Sequence, residues 1–115
     1  MTIKRAEHKS VRAIEALKTM WAKESFGTFV RSIRESDNIS QAELARRLDV
    51  SRQFLNAIEA ERKAVGVEFA SRIADALGYS EELFLELAIR DQLLRAGKKF
   101  TVTLKAWVRT RRAIS

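Results

Sequence analysis

Residues 39–59 read Ile39-Ser-Gln-Ala-Glu-Leu-Ala-Arg-Arg-Leu-Asp-Val-Ser-Arg-Gln-Phe-Leu-Asn-Ala-Ile-Glu59, a stretch with two helix-start signals, at Ser40 and at Ser51. Ser40 can accept from the first turn, Glu43 completes an S-x-x-E capping box, and Ile39 with Leu44 has the spacing of a hydrophobic staple. A helix is therefore predicted from Gln41, with Ala42, Ala45 and Leu48 on one face. Asp49-Val50 interrupts the run, Ser51 offers the second cap, and Val50 with Leu55 repeats the staple. Helices joined by about three residues cannot lie antiparallel, so the pair must cross steeply. The second helix buries Leu55 and Ile58 and turns Arg52, Gln53 and Asn56 outward near its N-terminal end. Arginine can pair bidentately with guanine, and glutamine or asparagine with adenine, so the three suit base edges in a DNA major groove.

With these residues in place, the chain resembles the lambda-repressor-like helix-turn-helix family, also called the Cro/CI or XRE family, over roughly residues 28–87. Gln41-Ala-Glu-Leu-Ala45 is similar to the family's motif helix, Val50-Ser51 to the end of its turn, and Ile58-Glu59 to the end of its recognition helix. Ala74-Asp-Ala-Leu-Gly78, with Ser80 and Leu83, looks like its fourth and fifth helices. The resemblance implies a five-helix bundle in which Gln41 and Ser51 clamp phosphate while Arg52, Gln53 and Asn56 read bases. It also implies an internal ion pair between Arg34 and Glu59. Three positions depart from the family. Asp49 and Glu61 stand where glycine is frequent, and Ala57 offers no hydrogen bond where many members carry a polar reader. Aspartate tolerates the left-handed region better than most residues do, so a small strain is expected at position 49.

Composition sets the outer limits. A chain of 115 residues with 46% apolar content has room for one small domain and flanking elements. The chain lacks cysteine, which removes disulfides and thiolate chemistry and fits a reducing compartment. No run approaches the 18 or so apolar residues of a membrane span, and the basic start is not followed by a signal-like apolar run. A soluble cytoplasmic protein with no membrane partner is expected. The formal charge of +7 favours a polyanionic partner, and its distribution is uneven. Residues 1–23 carry six Lys or Arg against two Glu, residues 98–115 six against none, and residues 67–97 three against six acids. The basic ends are candidates for supplementary phosphate contacts.

Outside the motif, Val11, Ile14, Leu17 and Trp21 predict an amphipathic helix within residues 1–25, which Ser25-Phe-Gly27 would end. Thr28 is the expected cap of the next helix, whose buried face would be Phe29, Val30 and Ile33. Arg62 and Lys63 follow the recognition helix and are assigned to phosphate. Val67 to Leu77 reads as a helix closed by Gly78, and Ser80 as the cap of a longer one reaching about Arg95. That last helix is apolar over more than one face, so something further must cover it. In the 98–115 segment, Phe100, Val102, Leu104, Ala106 and Val108 alternate with Thr101, Thr103, Lys105, Trp107 and Arg109, a strand signal. A lone strand cannot satisfy its backbone, so pairing with a second copy about a two-fold axis is expected, through Phe100, Val102, Leu104, Trp107 and Leu94. The alternative is a tail folded back on its own helices, or disordered. The fold class is thus mainly α: a five-helix bundle over residues 26–97, extended by an N-terminal helix and a C-terminal strand.

No catalytic constellation emerges. His8 is the only histidine and has no second ligand or nucleophile beside it, and the four glycines make no phosphate loop. No enzyme activity, cofactor or metal is expected. The expected partners are double-stranded DNA and a second copy of the chain, and the expected function is a dimeric repressor on a palindromic operator. The alternative is an antitoxin that neutralises a toxin protein and autoregulates its operon.

Overall fold

The computed structural model describes residues 25–105 and residue 107. The amphipathic helix expected within residues 1–25 falls outside the described residues, except for Ser25, as do Ala106 and residues 108–115. Among the described residues there are five α-helices: α1 Phe26–Ser36, α2 Gln41–Leu48, α3 Arg52–Glu59, α4 Val67–Leu77 and α5 Glu82–Arg95. In this bundle α2 packs on α3 and α4, α1 on α3 and α5, and α4 on α5.

The two caps read from the motif form. Ser40 Oγ accepts from the Glu43 N–H at 3.0 Å, and Ser51 Oγ from the Phe54 N–H at 3.0 Å. Each oxygen satisfies one of the donors a helix start leaves unpaired. The Glu43 carboxylate does not reach back to close the box; it pairs with Arg46 and Arg47, whose hydrogen bonds hold it down at about 2. Asp49 takes the left-handed conformation at φ 58°, and its N–H closes α2 on Ala45 and Arg46. Gly78, at φ 85°, ends α4 in the same way.

Several local expectations are corrected. Ala42 is exposed, and the buried stripe of α2 is Leu44, Ala45 and Leu48. At 100° per residue, Ala42 stands about 120° from the centre of that stripe, and Gln41 stands near it. Phe26 and Gly27 belong to the first turn of α1 and are buried, so they do not end a preceding helix. Thr28 is the third residue of α1, and its N–H donates to Glu61 Oε2 at 3.1 Å. The cap on α1 therefore comes from the loop that follows α3. Ser80 does not cap α5, which starts one residue later behind Glu81.

The core is one cluster built from all five helices, with Phe29, Val30, Leu44, Leu55, Ile73 and Phe84 at its centre. Phe29 and Phe84 meet edge to face at 5.0 Å. Gly27 lies so close to α3 that a Cβ there would stand 2.1 Å from the Ile58 carbonyl oxygen. Tyr79 reaches back from the α4–α5 turn and donates to Asp37 at 3.2 Å.

The apolar excess of α5 is covered in part by its own chain. Leu83, Phe84, Leu87 and Ala88 are buried in the core, while Leu94 is 46% exposed. The segment after α5 returns, and the Leu104 N–H donates to Glu86 Oε2 at 3.1 Å. Residues 100–105 form no strand, and no other strand is present among the described residues. Their alternation survives in burial: Val102 and Leu104 are half-buried, and Thr101, Thr103 and Lys105 exposed. Phe100 and Trp107 are open, the latter 90% exposed.

Two outcomes follow from this packing. Gly27→Ala should destabilise the bundle by about 2 kcal/mol or more, because a backbone oxygen cannot yield as a side chain can, and a urea midpoint at unchanged m-value measures it. Burial first, and then the charge and hydrogen bond of Asp37, push the phenol of Tyr79 up to about 12. The raised value means that its contribution to stability is complete below the ordinary pKa near 10 and is lost as pH rises toward 12. Tyr79 is the only tyrosine, so phenolate absorbance near 295 nm reports it alone and should rise near 12 in the folded protein and near 10 in urea.

Candidate nucleic-acid interface

The surface built by α2 and α3 begins with a buried ion pair. Arg34 Nε donates to Glu59 Oε2 at 2.7 Å, and a terminal guanidinium nitrogen to Oε1 at 2.9 Å. The other terminal nitrogen donates to the Ile39 carbonyl at 2.8 Å. One side chain of α1 thus holds the last residue of α3 and the chain entering α2. Arg34 is 7% exposed and Glu59 4%. The hydrogen bonds that Arg34 donates to Glu59 raise its pKa above the usual value, against the opposing effect of burial.

The network continues outward to the surface. Gln41 Nε2 donates to Glu59 Oε1 at 3.1 Å and to Asn56 Oδ1 at 3.1 Å. Arg52, Gln53 and Asn56 stand exposed on α3, over the buried Leu55 and Ile58. With Gln41 and Arg62 these three line one open concavity of about 320 Å³. Four of the five residues lie within or beside the motif, and Arg62 joins them from the following loop. A second concavity of about 340 Å³, lined by Arg31, Glu35 and Ala60 among others, shares Gln41 and Asn56 with the first.

The remaining assigned residues are placed differently. Ser51 spends its oxygen as the cap of α3, leaving its O–H to donate. Lys63 lies apart from the concavity, its ammonium 5.5 Å from the centre of the Phe54 ring. Phe54 meets Phe69 edge to face at 5.7 Å, and the Arg72 guanidinium covers Phe69 at 5.0 Å. Both N–H groups of the Gln41 side chain are engaged within the protein, so its main-chain N–H at the start of α2 is the donor left for phosphate.

Three contacts of the loop after α3 had no counterpart in the sequence reading. Glu61, at φ 66°, presents its carboxylate to Thr28. Its carbonyl accepts from Arg95 at 3.1 Å, and the Val65 carbonyl accepts from Gln92 at 2.7 Å. Arg95 is itself held by Asp91 at 2.9 Å. The loop bearing Arg62 and Lys63 is thereby fastened to α1 and α5. The one advance signal was glutamate at a position where glycine is frequent.

Among the described residues no group of three His, Cys, Asp or Glu could hold a metal ion, and no helix is long and apolar enough to cross a membrane. A short helix capped by Ser40, a sharp turn through a left-handed Asp49 and a second helix with its polar face open define a helix-turn-helix. The family model described as Helix-turn-helix matches residues 30–84, which supports the resemblance of this segment to the lambda-repressor-like, XRE kind. A DNA-binding regulator of that kind is the class the domain defines. No curated protein matches the chain.

Removing one half of the ion pair should be worse than removing both. Arg34→Met leaves the Glu59 carboxylate buried without its partner and should lose about 3–5 kcal/mol in urea unfolding. Arg34→Met with Glu59→Leu should recover most of that loss, since two apolar side chains leave no uncompensated charge.

Proposed function

We propose that the protein is a cytoplasmic, dimeric, sequence-specific repressor that occupies a palindromic operator through the major groove. The observation that carries this reading is the convergence of Arg52, Gln53, Asn56 and Arg62 on one open concavity at the exposed N-terminal half of α3. Arg52 and Gln53 occupy the first turn, where a recognition helix meets base edges. Arg62, Ser51 and the N-terminal amides of α2 and α3 lie around them as phosphate donors. Lys63 joins them by releasing the Phe54 ring, a contact of about 1 kcal/mol at an exposed site.

The exposed Leu94, Phe100 and Trp107 support a second copy on the C-terminal side. Val102 and Leu104 would then exchange their own helix for, or share it with, the partner's strand. Two recognition helices about 34 Å apart fit successive major grooves on one side of the duplex. The same open aromatics favour, as a second reading, an antitoxin whose partner is a toxin protein; a toxin gene beside this one would decide for it.

The test is duplex binding to the gene's own upstream DNA and to a scrambled duplex across several salt concentrations, with the mass of the complex recorded. Two subunits on the upstream duplex, with affinity falling steeply as salt rises, are expected. Arg62→Ala should lower the salt slope by about 1 without changing base preference. Arg52→Ala should lose about 1–3 kcal/mol of discrimination between the two duplexes. Equal ratios for wild type and Arg52→Ala would remove Arg52 from base reading, and no salt-dependent binding at low salt would remove DNA binding.

A further inference from the structure

The amide of Asn56 has a fixed orientation, and the reason lies three side chains deeper. Glu59 is a carboxylate whose two oxygens accept from Arg34 at 2.7 and 2.9 Å. A carboxylate presents no donor, so the atom of Gln41 that lies 3.1 Å from Glu59 Oε1 is its amide nitrogen. That nitrogen has a second hydrogen, directed at Asn56 3.1 Å away. A donor requires an acceptor opposite, so Asn56 turns Oδ1 toward Gln41 and leaves Nδ2 to the surface. Asn56 is exposed and lines the concavity with Arg52 and Gln53. Its unmet capacity is two N–H donors against one remaining lone pair on Oδ1.

We propose that Gln41 is a positioning residue that makes Asn56 a hydrogen-bond donor toward the major groove, so that the base beneath it is selected for acceptors. Guanine presents O6 and N7, both acceptors that suit the outward N–H groups, whereas the N6 amino group of adenine needs the oxygen that is turned toward Gln41 and keeps only one lone pair. Guanine is therefore the base chosen under Asn56, in place of the adenine that an asparagine taken by itself suggests. The inference rests on the DNA-reading function proposed above. It assigns polarity to one reader, and it traces that polarity through Gln41 and Glu59 to Arg34 in the core.

The experiment is enrichment of a randomised duplex library by the full chain, followed by affinities for duplexes that differ at one base. Asn56→Ala identifies the position that Asn56 reads, as the one whose preference disappears. At that position the wild type should favour guanine over adenine by about tenfold. Gln41→Met keeps the length of the side chain and removes its N–H groups, freeing the Asn56 amide to turn. Its guanine-to-adenine ratio should fall to about twofold or less, a ratio that cancels any uniform loss of phosphate contact. Gln41→Glu sets an acceptor opposite Asn56 and should move the preference to adenine or cytosine, whose amino groups donate. Should the added carboxylate beside Glu59 prevent folding, Gln41→Met decides alone, with its thermal midpoint recorded. A wild-type preference for adenine, or a guanine preference unchanged in Gln41→Met, overturns the relay and leaves DNA reading standing. A wild type that enriches no sequence overturns DNA reading and this inference with it.

Discussion

The buried pair of Arg34 and Glu59 is the constraint on which the rest of the structure depends. Desolvating two charges costs several kcal/mol each, and their attraction with good geometry roughly returns it, so the pair adds little net stability. What it adds is register. A bidentate guanidinium–carboxylate contact tolerates little rotation, and the third bond, to the Ile39 carbonyl at 2.8 Å, ties the start of α2 to the same guanidinium. An apolar trio at these positions could slide by a fraction of an ångström, whereas a fork of directed hydrogen bonds cannot. The steep crossing of α2 and α3 is set from the core outward by that fork, and the exposed side chains of α3 inherit their positions from it.

The same helix crossing explains why non-glycine residues sit in left-handed conformations at both ends of α3's surroundings. Asp49 at φ 58° and Glu61 at φ 66° each accept a strain of about 1–2 kcal/mol. At Asp49 the turn is required to bring Ser51 into position as the cap of α3. At Glu61 the strain has a local return. The carboxylate caps α1 through Thr28, and the carbonyl receives Arg95, so a residue with a side chain does what glycine could not. Close approach is bought differently at Gly27, where the Ile58 carbonyl fills the space a side chain would need.

Those details mark the boundary of what the sequence could reveal. The five helices, both serine caps, the Arg34–Glu59 pair and the outward face of α3 were legible, because each rests on spacing within a few residues or on the family's own pattern. The start of α1 was not. Ser25-Phe-Gly27 has the composition of a helix end, and only the docking of Gly27 against Ile58 shows it to be a beginning. Ala42 was misplaced for a simpler reason, since a three-residue spacing to Ala45 is shared by two neighbouring stripes of a helix. The Glu61–Thr28, Arg95–Glu61 and Gln92–Val65 contacts join residues about 30 apart in the chain, and no local pattern encodes them. The strand expected from Phe100 onward does not form among the described residues, although its alternation shows in the half-burial of Val102 and Leu104. Leu104 instead donates its N–H to Glu86 on α5, and no strand stands beside the segment among the described residues.

Helix α5 occupies an unusual place in this arrangement, and its patterning shows why. Its apolar residues are spread around the axis, and it buries Glu86 and Asp91 as well. A helix of that kind has more than one neighbour to satisfy. Toward the core it presents Leu83, Phe84, Leu87 and Ala88. Toward the loop after α3 it presents Gln92 and the Asp91–Arg95 pair, which grip the Val65 and Glu61 carbonyls. Toward the C-terminal segment it presents Glu86, which receives the Leu104 N–H. The loop that carries Arg62 and the segment that carries the exposed Phe100 are thus fastened to one rigid rod of 14 residues. A displacement of the C-terminal segment therefore withdraws the Leu104 N–H from the same helix that holds the loop after α3 through Gln92 and Arg95.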